Sequence, residues 1–230
     1  MLKYQSIQEL VSAAEERGLK ISELVLRDQA EAMDQTQETL YERMRKSFEV
    51  MRDSVAAGQK KELRSMSGLT GGEGFLMKQY TESHDGGLCG SFLSGAIARA
   101  LAVAGCNASM GRIVAAPTAG SCGILPGCLV SLYEERGVPG RDSVMSIFTA
   151  GAFGMVIAAK ASIAGAEGGC QAECGSAAGM AAAALVELMG ARPPSAPTPA
   201  PSLSPTSSVW SAIPWRGWWR SPASSATSPG

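Results

Sequence analysis

Asp142–Lys160 reads DSVMSIFTAGAFGMVIAAK and Ser176–Gly190 reads SAAGMAAAALVELMG. Apolar residues surround both stretches instead of lining one side, and a helix apolar on every face belongs in the interior of a bundle. The many Ala and Gly residues let neighbouring helices approach closely. The predicted helices are Ser143–Lys160 and Ser176–Met189, joined by ASIAGAEGGCQAECG. The longest apolar run, Val144 to Ala166, contains Lys160 and several glycines. Its unbroken part falls short of the roughly 20 apolar residues a bilayer requires, so it reads as a buried helix. β-branched and aromatic residues are scarce and no alternating segment exceeds a few residues. The expected fold is therefore mainly α, with glycine-rich loops between helices.

Upstream, residues 1–61 are charged and amphipathic. Leu24, Leu40, Met44, Phe48, Met51 and Val55 recur at three- and four-residue steps, which predicts one long helix or two. A shorter helix precedes them, with Ser6 as N-cap, Glu9 three residues on and Gly18 as its stop. This region reads as packing or oligomerisation surface. Residues 62–190 form the remaining helical core. After Gly190 the composition breaks: residues 191–230 hold nine of the 12 prolines, all four tryptophans, three arginines, no lysine and no acidic residue. By composition that is a disordered Pro/Ser tail.

The totals narrow the function. Twenty Lys and Arg against 21 Asp and Glu leave a net charge of -1, too weak a field to collect nucleic acid or anionic lipid. Neither is an expected partner. The opening MLKYQSIQEL lacks the apolar core of a secretion signal, which places the protein in the cytoplasm. There the six cysteines are expected to be reduced thiols, metal ligands or buried apolar groups.

Three loops carry the candidate chemistry: SGLTGGEG (Ser67–Gly74), SHDGGLCG (Ser83–Gly90) and APTAGSCG (Ala116–Gly123), each ahead of a helical segment. Glycine-rich loops at helix starts bring backbone N–H groups close to an anion, so they suit a small carboxylate ligand. Ser67, Thr70, Ser83, Asp85, Thr118 and Ser121 are the candidate substrate-binding side chains. His84, the one histidine, is the candidate catalytic residue, able to move a proton or hydrogen-bond a carboxylate. Consecutive Ser-His-Asp cannot be a hydrolase triad, whose members converge from separate segments. Cys170 and Cys174 are four residues apart and would share one face if that stretch were helical. Two thiols complete no zinc or iron–sulfur site.

Taken in order, SGLTGGEG, SHDGGLCG, NASMGRIVAAPTAGSCGILPG and ASIAGAEGGCQAECG resemble the α chain of the bacterial iron–sulfur-dependent L-serine dehydratases. The resemblance spans Leu2 to Gly190, and Asn107–Gly127 is its most specific part. It implies a lyase that converts L-serine to pyruvate and ammonia, a [4Fe–4S] cluster held by three cysteines with one iron open, and a separate β chain as partner. It also implies Cys170, in GGCQ, as the first cluster ligand. The other two would lie in downstream segments written CDPVAG and VPC, and neither occurs here.

The tail bears on that absence. If the codons for Val209–Thr227, VWSAIPWRGWWRSPASSAT, are read in the frame that borrows the last base of each preceding codon, degenerate positions permit GLVCDPVAGLVEVPCIKRN. The expectation is a frameshift between about Gly190 and Val209, and a chain that is inactive as written. Two rivals stand beside it. One is a pyridoxal-phosphate dehydratase with Lys160 or Lys78 as Schiff-base residue and SGLTGGEG as phosphate cup. The other is a binding or scaffold protein built on the N-terminal helices and the Pro-rich tail.

Overall fold

The computed structural model describes residues 4–161, 163 and 165–190. Among them are eight α-helices, two single-turn 3-10 segments and no strand: α1 (Ile7–Arg17), α2 (Ile21–Met33), α3 (Gln37–Gly58), α4 (Glu73–Ser83), α5 (Gly90–Ala108), α6 (Ile124–Glu135), α7 (Gly140–Lys160) and α8 (Gly165–Leu188). The mainly α expectation holds. The Pro/Ser tail and its predicted disorder lie outside the described residues.

Local signals set the N-terminal elements. Ser6 Oγ accepts from the Glu9 N–H at 3.1 Å, while Gly18, at φ 63°, turns the chain out of α1 with N–H bonds to Ala14 and Glu15 carbonyls. Such a left-handed C-terminal residue satisfies carbonyls that the helix leaves unpaired. The long amphipathic stretch is two helices. Asp34, at φ 50°, closes α2, and Thr36 caps α3 by accepting from the Thr39 N–H. A non-glycine residue in the left-handed region is weakly signalled by sequence, so the pattern alone is compatible with one helix or two.

The buried groups form two clusters that meet on α7. Val144 and Ile147 pack with Phe48, Met51 and Val55 of α3, Val103 of α5, Leu125 and Leu129 of α6, and Met180 of α8. Phe148, Ala152 and Phe153 pack instead with Leu10 of α1, Leu24 and Val25 of α2, Leu40 of α3 and Ala183 of α8. Eleven of the 21 residues of α7 are buried, so its all-round apolar character comes from having neighbours on several sides. The amphipathic N-terminal helices thus use their apolar faces within the chain.

Two helices, in Gly87–Ala108 and Gly140–Lys160, are long and apolar enough to cross a membrane. The second is mostly buried by the bundle; the first is about one-third buried. On α5, Leu93, Ile97 and Leu101 remain exposed along one stripe, and on α4 so do Leu76 and Tyr80.

Close packing against α5 fixes where the loops go. Gly58 of α3 and Gly74 of α4 both approach the Ala102 backbone, while Gly123 and Gly127, at the start of α6, approach Ala100 and Ala96. Glycine has no Cβ, so the backbones come nearer than larger residues permit. A charged clamp adds to this: Arg99 of α5, with 13% of its side chain exposed, donates to Glu134, Glu135 and Ser131 of α6.

Candidate functional site

The first loop is held by its own polar groups. Ser67 Oγ lies 3.1 Å from Ser65 Oγ, the Thr70 N–H donates to Ser65 Oγ at 3.2 Å, and the Met66 N–H reaches the Ala108 carbonyl. Ser67 and Thr70 are exposed. The Gly71 N–H donates to Glu73 Oε1 at 2.9 Å, so the protein's own carboxylate takes up a loop amide at the start of α4. The N–H groups of Gly71 and of Glu73 itself hold that carboxyl below its ordinary value.

The second loop begins on the last residue of α4. Ser83 Oγ donates to the Gln79 carbonyl at 2.8 Å and lies 2.8 Å from His84 Nδ1, which is also 3.2 Å from the Tyr80 carbonyl. The imidazole stacks on the Tyr80 ring, with centroids 4.5 Å apart. A carbonyl oxygen can only accept, so this arrangement suits a proton on Nδ1 and leaves Nε2 its lone pair. His84 is exposed, as are Ser83 and Asp85. Asp85 and Gly86, at φ 48° and 76°, make the turn, which Ser94 Oγ pins by donating to the Gly86 carbonyl at 2.7 Å.

The third loop is the most enclosed. Thr118 Oγ1 and Ser121 Oγ are 3.2 Å apart, Ser121 is buried, and Asn107 Nδ2 donates to the Ala119 carbonyl at 3.1 Å. Beneath it Cys106 and Cys122 are buried, and burial pushes both thiols up, as it does Cys128. The segment ASIAGAEGGCQAECG, expected as a connection, is largely helical from Gly165. Its Ala, Glu and Gln residues favour helix, and only Gly169, at φ 71° and ψ 174°, interrupts it. Cys170 follows that break, exposed, with its Sγ 3.8 Å from Cys174 Sγ. Burial, then the neighbouring Cys170, pushes the Cys174 thiol up. The Glu173 carboxylate faces Gly120 of the third loop.

The three loops do not form one cradle. The first is tied to Ala108 and the third to Asn107, both at the C-terminal end of α5, and the Cys170 turn joins them through Glu173. Ser83, His84 and Asp85 sit at the other end, where Gly90 opens α5. From Gly90 to Asn107 a helix rising 1.5 Å per residue covers about 26 Å. The fold thus groups Ser67, Thr70, Thr118, Ser121 and Cys170 towards one end, apart from His84. Sequence reading singled out neither Asn107, which anchors the third loop, nor Glu73 as an internal anion. Lys78, bonded to Gln59 Oε1 at 3.3 Å, and Lys160 are both exposed.

A three-thiolate cluster does not fit these residues. All six cysteines are described, yet only Cys170 and Cys174 come together on the surface; Cys106 and Cys122 are in the core and Cys89 is at the far end of α5. Among the described residues no three His, Cys, Asp or Glu side chains converge as a metal site.

Residues 16–199 match the family model described as serine dehydratase alpha chain. The chain is 40% identical over 170 residues to the probable L-serine dehydratase, alpha chain, of Bacillus subtilis, covering 74% of this chain and 56% of that one. It is 41% identical over 170 residues to the L-serine dehydratase, alpha chain, of Peptoniphilus asaccharolyticus (72% and 56%). To the L-serine dehydratase of Streptomyces coelicolor it is 36% identical over 181 residues (75% and 38%). It therefore spans little more than half the length of the alpha chains it matches. The order and spacing of the glycine loops, the anchored Asn107–Gly127 segment and the match over residues 16–199 place this chain in the serine dehydratase alpha chain family.

Proposed function

We propose that the complete protein dehydrates L-serine to pyruvate and ammonia, and that these 230 residues supply the α-chain part of the site. The observation that carries this reading is the family match over residues 16–199. The relatives' designation as alpha chains supports a separate β chain as partner.

The chemistry asks for a base at Cα and a means of drawing off the β-hydroxyl. Loss of the Cα proton and of hydroxide as water leaves an aminoacrylate, which tautomerises to an imine and hydrolyses to pyruvate and ammonium. Serine is small enough to occupy one end of α5, not both. We assign its cradle to the end carrying Thr118, Ser121 and the first loop, where the two hydroxyls and loop amides bind the carboxylate. His84 Nε2 has a lone pair suited to proton transfer, but about 26 Å of helix separates the Gly90 end of α5, where it sits, from the Asn107 end that anchors the cradle. Replacing His84 with Asn in an active form separates the cases: a lost limb of the pH–rate profile gives it proton transfer, and an unchanged profile removes it from the site.

The resemblance implies a [4Fe–4S] cluster that would supply a Lewis acid for the hydroxyl, with Cys170 as the one ligand this chain would offer. The donor set here does not fit that cluster, so the chain as written is proposed to be inactive. The frameshift reading, whose codons lie outside the described residues, accounts for the missing cysteines. The test is to purify the chain without oxygen, supply iron and sulfide, and measure serine-dependent pyruvate. The same assay is run on a form with the frame shifted after Gly190 to encode CDPVAG and VPC. Activity in the restored form alone is expected; pyruvate from the chain as written overturns the inactivity. Sequencing the gene through this region addresses the frameshift separately, and a shifted frame lacking CDPVAG and VPC removes it.

A further inference from the structure

Glu173 is placed for a role that the hydroxyls of the third loop cannot fill. It lies on α8 one turn beyond the Gly169 break, half-buried, with its carboxylate against Gly120 of that loop. A Cβ on Gly120 would stand 2.6 Å from Glu173 Oε2, so the lack of a side chain there is what admits the carboxylate. Asn107 Nδ2 fixes the same loop by donating to the Ala119 carbonyl at 3.1 Å, and Thr118 Oγ1 and Ser121 Oγ stand 3.2 Å apart within it. Serine is a zwitterion. Hydroxyls and loop amides serve its carboxylate, but its α-ammonium brings three N–H donors and a full positive charge, which needs a paired partner once it leaves water. Glu73, a carboxylate at the same end, is committed to the Gly71 N–H. A carboxylate accepts at about four lone-pair sites, so Glu173 can lie against the loop and still accept from an ammonium.

We infer that Glu173 binds the α-ammonium of the substrate and so sets the preference for an α-amino acid over the corresponding α-hydroxy acid. The assignment rests on the reading that puts the serine cradle at the Thr118–Ser121 end. With the ammonium on Glu173 and the carboxylate on Thr118, Ser121 and the loop amides, two of the four groups on Cα are held, which limits how the Cα proton and the hydroxymethyl group can turn. Gly120 then helps to set specificity as well. A larger residue there pushes the carboxylate aside, at small cost to the fold because Oε2 is the far end of a flexible side chain.

The test uses the full chain and follows, by ligand-observed NMR titration, the binding of L-serine and of L-glycerate, which carries a hydroxyl in place of the ammonium. The wild-type chain should prefer L-serine. Glu173→Gln should weaken L-serine by about 10–100-fold, the contribution of a hydrogen bond to a charged group, and leave L-glycerate unchanged or tighter. Gly120→Ala, which keeps Glu173 and displaces its carboxylate, should move the serine-to-glycerate ratio in the same direction. Glu82→Gln removes the same charge from α4 and should leave the ratio unchanged. Thr118→Ala, on the carboxylate side, should weaken both ligands alike. An unchanged ratio in Glu173→Gln, beside a Thr118→Ala that weakens both ligands, overturns the inference and leaves the cradle reading standing. L-serine binding that neither variant weakens overturns both, as does the absence of L-serine binding by the wild-type chain.

Discussion

Alanine at position 74 tests whether contact between α4 and α5 sets the position of the first loop. Gly74 is the one buried residue recorded on α4, and an ideal Cβ there would stand 2.6 Å from Ala102 Cα, 2.8 Å from its Cβ and 2.9 Å from its N. Carbon atoms sit comfortably at about 3.5 Å, so the helices must part by about 0.9 Å. Ala102 cannot yield, because it is fully buried between α4 and Gly58 of α3. Overpacking of this kind costs about 1–3 kcal/mol. The gain from replacing glycine in a helix is at most about 1 kcal/mol. The expected net loss is about 1–2 kcal/mol, a fall in Tm of about 2–8 °C for a chain of this size. Gly151 is the control, since a Cβ there meets no heavy atom within 4 Å; Gly151→Ala should gain up to about 1 kcal/mol. Urea denaturation followed by far-ultraviolet circular dichroism measures both. Gly74→Ala as stable as wild type, with Gly151→Ala stabilised as expected, would refute the close-packing argument.

Glu187 Oε2 accepts from the Ser22 N–H at 3.2 Å and from Thr149 Oγ1 at 2.6 Å, whereas Ser22 Oγ is buried without a partner. In thermal melts Glu187→Ala should lose about 1–3 kcal/mol, and Ser22→Ala, which keeps the N–H and removes the orphaned hydroxyl, should be neutral or gain about 1 kcal/mol. Tyr4 donates to Asp28 Oδ2 at 2.6 Å, and burial followed by that bond raises the phenol from 10.0 to about 12. A raised folded pKa means its contribution is intact below pH 10.0 and lost towards about 12. Alkaline unfolding of Tyr4→Phe should therefore lack the component lost in that window. Brief alkylation of the native, metal-free chain should label Cys89 and Cys170 ahead of Cys106 and Cys122, and early labelling of the buried pair would contradict the packing beneath the third loop.

Several elements were legible because their causes are local. Ser6 and Gly18 bracket α1 through bonds spanning a few residues, the apolar run before Lys160 matches α7, and each glycine loop leads into a helix. The candidate site was legible in its residues and not in its arrangement. Ser67, Ser83 and Thr118 look equivalent in sequence, yet antiparallel packing of α4 on α5 sends one loop to the opposite end from the others. The helical run through Cys170 and Cys174 was hidden by glycines, of which only Gly169 breaks it.

By itself the sequence determined a helical bundle, its main helix boundaries, the family signature in the glycine loops and the absence of the CDPVAG and VPC segments among its six cysteines. These follow from backbone preferences, hydrophobic periodicity and residue identity, all acting over a few positions. Only the tertiary structure decided that α7 lies between two core clusters and that Glu187 caps α2 from 165 residues away. It also decided that His84 and the Thr118–Ser121 loop lie at opposite ends of α5 and that the Cys170 and Cys174 sulfurs stand 3.8 Å apart. Those outcomes depend on which helix faces which neighbour, set by the summed burial and glycine contacts of segments far apart in the chain.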